Sequence, residues 1–150
     1  MKFLFSGIFL CLFIACVNNQ NTSKENPLVG TWKLVSGTVI QGGDTTITDF
    51  TKEQEMIKII NDTHFAFLRH DLNQGKDSTA TYFAGGGTYT VKENVYTENL
   101  MYFNVREWEG HSFDLTFKIE ADTLYTQAVE EVEALGVSQI NIEKFIRLKK

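Results

Sequence analysis

Residues 112–120, SFDLTFKIE, place Phe113, Leu115, Phe117 and Ile119 at every second position, with Asp114, Thr116, Lys118 and Glu120 between them. A period of two sends alternate side chains to opposite faces, so this stretch predicts a strand with one dry side and one wet side. Runs of β-branched and aromatic residues bounded by turn residues predict further strands. The full set is 29–40, 56–60, 63–71, 78–92, 95–105, 112–120, 123–129 and 139–148. Several breaks are short. Asn61-Asp62, Lys92-Glu93-Asn94 and Glu120-Ala121-Asp122 suit tight turns, because Asn and Asp tolerate turn geometry. Short links make sequence neighbours antiparallel. About eight such strands close on themselves without a free edge. The expected fold is therefore all-β: an antiparallel up-and-down barrel of about eight strands, with one or two short helical turns. Residues 51–54 fit a helix-capping box, and EEVEALG at 130–136 suits a helical turn ended by Gly136. The long link 41–55, starting at Gly42-Gly43, is expected to lie over one end of the barrel.

The pattern is different at the start. Met1 and Lys2 precede an apolar run from Phe3 to Ala15 that only Ser6 and Gly7 interrupt, and the run stops at Cys16. A charged tip, an apolar middle and a small residue before a cut form the layout of a secretory signal. The run is shorter than the ~20 apolar residues a spanning helix needs. Leu12-Phe13-Ile14-Ala15-Cys16 resembles a bacterial lipobox, in which the cysteine becomes the lipidated first residue of the mature chain. The other reading is an ordinary signal with an incidental cysteine. Residues 17–26 are rich in Asn, Gln, Ser and Thr and read as a flexible tether. The expected organisation is a lipoprotein signal peptide at 1–15, lipidated Cys16 with its tether at 16–27, and a barrel domain at 28–150. Each buried methylene of an acyl chain contributes about 0.8 kcal/mol, so more than one chain gives stable attachment. Residue 17 is Val rather than Asp, and no acidic run follows. By the sorting rules the lipobox implies, that favours the outer membrane, facing the periplasm.

Charge and cysteine content narrow the function. Fourteen Lys and Arg against 19 Asp and Glu leave a net charge of −5, with no basic cluster, so nucleic acid is not an expected partner. Of the two cysteines, Cys11 belongs to the signal and Cys16 to the anchor, so no disulfide is expected in the mature domain.

Two short segments point to a family. VGTWKLVSG, with Gly30 and Trp32, resembles the Gly-x-Trp opening of lipocalins and related calycins. IEKFIRLKK sets Arg147 in the last strand, where those families carry an arginine stacked on that tryptophan. FAGGGTYTV, REWEGHSF and IEKFIRLK also resemble recurring segments of a lipocalin-like group of lipoproteins from Gram-negative bacteria. The resemblance spans residues 28–148. It implies a barrel that Gly30, Trp32 and Arg147 close at one end, and a small hydrophobic or amphipathic ligand as partner. A guanidinium over an indole contributes about 0.5–2 kcal/mol, which favours a structural plug over a ligand contact for this pair.

His64 and His70 lie six positions apart on one strand, roughly 20 Å at about 3.3 Å per residue, and so are too far apart to share a metal. Phe65, Phe67 and Arg69 form the opposite face; an inward Arg69 either binds an acidic head group or sits solvated at the mouth. Glu107, Glu109 and His111 have alternate spacing, but a hairpin turn around Gly110 explains them better than a metal site does. Trp108 in that turn is a candidate rim contact. The glycines of AGGGTY at 84–89 lack the Gly-Lys-Ser/Thr ending of a phosphate loop and read as a bulge or bend in the wall. No Gly-x-Ser-x-Gly or His-Glu-x-x-His pattern is present, so neither a catalytic residue nor a cofactor is expected. The reading is a lipid-anchored envelope protein that binds a small, partly apolar ligand through Phe65, Phe67, Arg69, Trp108, Phe113, Leu115 and Phe117. The alternative is a solid barrel acting as a protein-interaction or structural module of the envelope, and an enzyme on the same frame ranks third.

Overall fold

The computed structural model describes residues 25–149; the apolar run, Cys16 and most of the tether lie outside the described residues. The chain forms nine strands: β1 (Gly30–Gln41), β2 (Asp44–Asp49), β3 (Gln54–Ile60), β4 (His64–Asp71), β5 (Tyr82–Lys92), β6 (Val95–Phe103), β7 (Ser112–Glu120), β8 (Thr123–Val132) and β9 (Val137–Arg147). All neighbours are antiparallel. From β3 to β9 each strand pairs with the next, and β9 pairs with β1. β1 meets β3 over Gly30–Lys33, which closes eight strands into a barrel. β2 is the additional strand, and it takes up β1 beyond that point, over Ser36–Gln41.

The 41–55 link differs from the sequence expectation in containing β2. Gly42 (φ 59°) and Gly43 (φ 90°) both take positive φ between the paired Gln41 and Asp44. This is the two-residue hairpin that Gly-Gly permits, and Thr45, Thr46, Ile47 and Thr48 supply a β-prone return strand. No helical turn follows Thr51. The Asp49 carboxylate accepts hydrogen bonds from the Thr51 N–H (2.9 Å) and hydroxyl (2.6 Å), which makes an Asx turn in place of a helix cap. The link then delivers Phe50 over one end of the barrel, where its ring packs on Gly37. The second anticipated turn is a 3-10 turn at Glu133–Leu135 that ends at left-handed Gly136. Another 3-10 turn, Arg106–Trp108, occupies the β6–β7 connection.

Two bulges shape the wall. Leu34 pairs with Phe145 and Ser36 with Lys144, so Val35 is an extra residue on β1. Its carbonyl accepts the Phe50 N–H at 3.0 Å. The extra residue shifts the alternation by one and turns Gly37 and Val39 inward. The second bulge falls between Gly86 and Gly87, opposite Leu100–Tyr102. A Cβ at Gly87 would stand 1.9 Å from the Asn99 carbonyl oxygen. Backbone, unlike a side-chain tip, cannot swing away, so Gly87→Ala should destabilise the protein by at least ~1–3 kcal/mol. Urea unfolding checks this, and an unchanged midpoint would show that the strands do not approach so closely.

One end of the barrel is closed by packing. Leu28, Trp32, Phe65, Tyr96, Leu124 and Phe145 are buried there. The Trp32 indole N–H donates to the Leu28 carbonyl at 2.8 Å. The Arg147 guanidinium stacks 3.9 Å from the Trp32 ring centre and donates to the carbonyls of Val29 (2.7 Å) and Pro27 (2.6 Å). Gly30 leaves room for this, because a Cβ there would meet Arg147 Nη1 at 2.5 Å.

Candidate functional site: an amphipathic barrel cavity

Above that plug the barrel is hollow, with a cavity of about 440 Å³. Volumes of roughly 300–1,000 Å³ are typical of small-molecule sites. Strand register divides the lining into unlike walls. On β8 and β9 the inward pairs are Glu130 opposite Gln139, Ala128 opposite Asn141, and Thr126 opposite Glu143. The facing strands β4 to β7 and the loop after β6 present Phe67, Phe83, Phe103, Trp108 and Phe113. These rings touch edge-on or tilted: Phe67–Phe103 at 5.3 Å, Phe103–Trp108 at 6.4 Å and Trp108–Phe113 at 5.8 Å between centroids. Such geometry suits the aromatic quadrupole.

The floor is charged. Lys58, 3% exposed, donates to Glu98 at 2.8 Å and lies 3.8 Å from Glu143. Burial works against the Lys58 ammonium, but the charges of Glu98 and Glu143 outweigh it and hold its pKa above the ordinary lysine value. Glu143 is shifted the other way. Burial of its carboxyl exceeds the attraction of Lys58 and raises its pKa above the usual glutamate range. The Glu130 carboxylate accepts from the side-chain amides of Gln139 (2.7 Å) and Asn141 (2.8 Å). Below the floor the buried Tyr96 hydroxyl has no hydrogen-bond partner among the described residues. Burial, then the negative charge of Glu98, keeps that phenol protonated.

A raised carboxyl pKa has a predictable consequence. Folded Glu143 retains its proton at pH values where the unfolded chain has released it. Stability therefore falls as pH rises from the ordinary glutamate range to the raised value, then levels off. Glu143→Gln, which cannot ionise, should flatten that limb. Urea unfolding from about pH 4 to about pH 8 checks it; parallel profiles for the two proteins would contradict it.

The sequence-selected side chains separate into groups. Phe67, Arg69, Trp108, Phe113 and Leu115 lie on the cavity. Phe65 does not; it packs in the closed end, edge-on to Tyr96 at 6.4 Å. Phe117 also lies off the cavity, partly buried against the core. Arg69 reaches the cavity wall between the rings of Phe50 (5.0 Å) and Phe83 (5.3 Å) and donates to Gln54 at 2.8 Å. Partial burial lowers its pKa. Glu109 holds the β6–β7 connection, accepting from the Phe103 N–H (2.8 Å) and Arg106 (2.7 Å), and that connection presents Trp108. His111 leans on the same segment, 3.1 Å from the Trp108 carbonyl and stacked on Phe113.

Sequence reasoning did not single out Lys58, Glu98, Glu130, Gln139, Asn141 and Glu143. A signal existed for two of them. Lys58 alternates with Met56 and Ile60, and Glu98 with Tyr96 and Leu100, so each is a charge at an apolar-phase position. Among the described residues no three acidic, His or Cys side chains converge closely enough to hold one metal ion. No family model, curated protein or solved structure matches the chain.

Proposed function

We propose that this is a lipocalin-like, lipid-anchored protein of the cell envelope, held at the outer membrane facing the periplasm, whose barrel binds a small, partly apolar ligand. The observation behind the binding role is the hollow of about 440 Å³ with an aromatic wall and a polar wall. A solid barrel needs no such space, since interiors otherwise pack to crystal-like density. The ligand lies with its apolar part against Phe67, Phe103, Trp108 and Phe113. Its polar part meets the β8–β9 wall, with Arg69 a further polar contact. The anchoring role rests on Cys16 and the apolar run before it.

The test is titration with N-phenyl-1-naphthylamine, a neutral apolar fluorophore. Saturable binding with a blue-shifted emission is expected. It should be lost in Ala128→Phe, which fills the cavity from β8, and in Val39→Trp, which fills it from β1. Absence of saturable binding to folded protein would overturn the reading. For the anchor, Cys16→Ser should abolish incorporation of a labelled fatty acid in a Gram-negative host; retained label would refute lipidation at this residue.

A second reading keeps some support. In it the barrel is a protein-interaction or structural module of the envelope, and the exposed apolar side chains of Ile59, Leu68, Tyr82 and Tyr102 on the outer face of β3 to β6 support it.

A further inference from the structure

We infer that the ligand is an amphipathic cation, an organic amine whose ammonium group sits on the acidic side of the cavity between Glu130 and Glu143. The inference deepens the binding role just proposed and rests on it.

The cavity is lined by three carboxylates, Glu98, Glu130 and Glu143, and by two cations, Lys58 and Arg69. Lys58 is committed to Glu98 at 2.8 Å. Arg69 approaches from β4, stacks on Phe50 and Phe83 and bonds Gln54; none of the ion pairs among the described residues includes it. The interior thus holds one more negative than positive charge when every group is ionised. An uncompensated buried charge is costly, so the site gains from an occupant that supplies a cation.

Hydrogen-bond polarity points the same way. Gln139 and Asn141 both turn their amide NH2 groups to Glu130, so their carbonyl oxygens remain as acceptors on the cavity wall. Glu143 accepts from Thr126 at 3.4 Å and is 3.8 Å from Lys58 through the same oxygen, Oε2. The polar wall therefore presents acceptors, and an ammonium with its three donors matches them. The opposite wall adds aromatic faces, which attract cations as well as alkyl chains.

The groups facing Glu143 are Lys58 on β3, Tyr96 and Glu98 on β6, and Thr126 and Glu130 on β8, with Arg69 on β4 further along the cavity. Glu143 shares Lys58 with Glu98, which lies closer to the lysine (2.8 Å against 3.8 Å), and an ammonium beside Glu143 provides a countercharge of its own. Amine binding should accordingly strengthen as pH rises and Glu143 gives up its proton, while binding of the matching alcohol should not.

The experiment displaces bound N-phenyl-1-naphthylamine with decylamine, decanol or decanoate, three ligands of one chain length. Decylamine is expected to compete at a concentration about tenfold or more below decanol, the scale of a hydrogen bond to a charged group. Decanoate should be the weakest. Glu130→Gln and Glu143→Gln should each reduce the preference for the amine while the fluorophore still binds, which separates loss of charge recognition from loss of fold. Equal competition by all three, or strongest competition by decanoate through Arg69, would overturn the inference with the binding role intact. Failure of the fluorophore itself to bind would count against the binding role.

Discussion

Lys58→Met is expected to cost the protein about 3–5 kcal/mol, the penalty for removing one partner of a buried ion pair. Methionine nearly matches the lysine stem in volume, so the loss is electrostatic rather than a cavity effect. Glu98 would keep its place in the floor, 8% exposed, with its cation gone. Glu143 would lose the charge that partly offsets its burial. Two companion variants separate pairing from packing. Glu98→Gln leaves Lys58 with Glu143 at 3.8 Å and should be less damaging. In Lys58→Met/Glu98→Gln both charges go together, and much of the stability should return, as when both members of a buried pair are replaced. Urea unfolding of the four proteins provides the cycle. Strict additivity of the two single changes would show that Lys58 and Glu98 do not act as a pair.

The second large effect is expected at the closed end. Trp32→Ala should destabilise the barrel by about 3–5 kcal/mol, the range for deleting a buried large aromatic. Three contributions coincide at this residue. Its ring is 0% exposed, its indole N–H serves the Leu28 carbonyl, and its face carries the Arg147 guanidinium. Arg147 also ties the incoming chain through the Val29 and Pro27 carbonyls, so the plug joins the first strand, the last strand and the segment before them. Arg147→Lys should be milder than Trp32→Ala but measurable, because an ammonium cannot stack flat on the indole while reaching both carbonyls. A thermal midpoint for Trp32→Ala within a degree or two of wild type would contradict the plug.

The fold was legible because most strands obey a clean period of two. β7 shows it best: Phe113 and Leu115 are buried while Asp114 and Thr116 are exposed. Trp32 and Arg147 were legible as a pair through the resemblance, and the strands bring them into register. The cavity was harder to read, and β9 shows why. Its apolar residues Ile140, Ile142 and Ile146 alternate with Asn141, Glu143, Phe145 and Arg147. Hydropathy favours placing the isoleucines inside. The barrel places Asn141 and Glu143 inside instead, because Phe145 fixes the phase. A polar cavity wall reverses the usual pattern, and no local signal announces the reversal. The Val35 bulge hid the lining of β1 in the same way, since one inserted residue exchanges inside for outside. Phe65 and Phe117 were grouped with the lining because they share a phase with Phe67 and Leu115. Phase gives the face but not the height along the barrel, and both lie nearer the plug than the hollow.

Whether the barrel holds an amphipathic hollow of ligand size is decided by a crystal structure of the protein with N-phenyl-1-naphthylamine. Density for one fluorophore is expected inside the barrel, its rings against Phe103, Trp108 and Phe113. A barrel whose side chains fill the interior, or a fluorophore bound only on the outer surface, would contradict it.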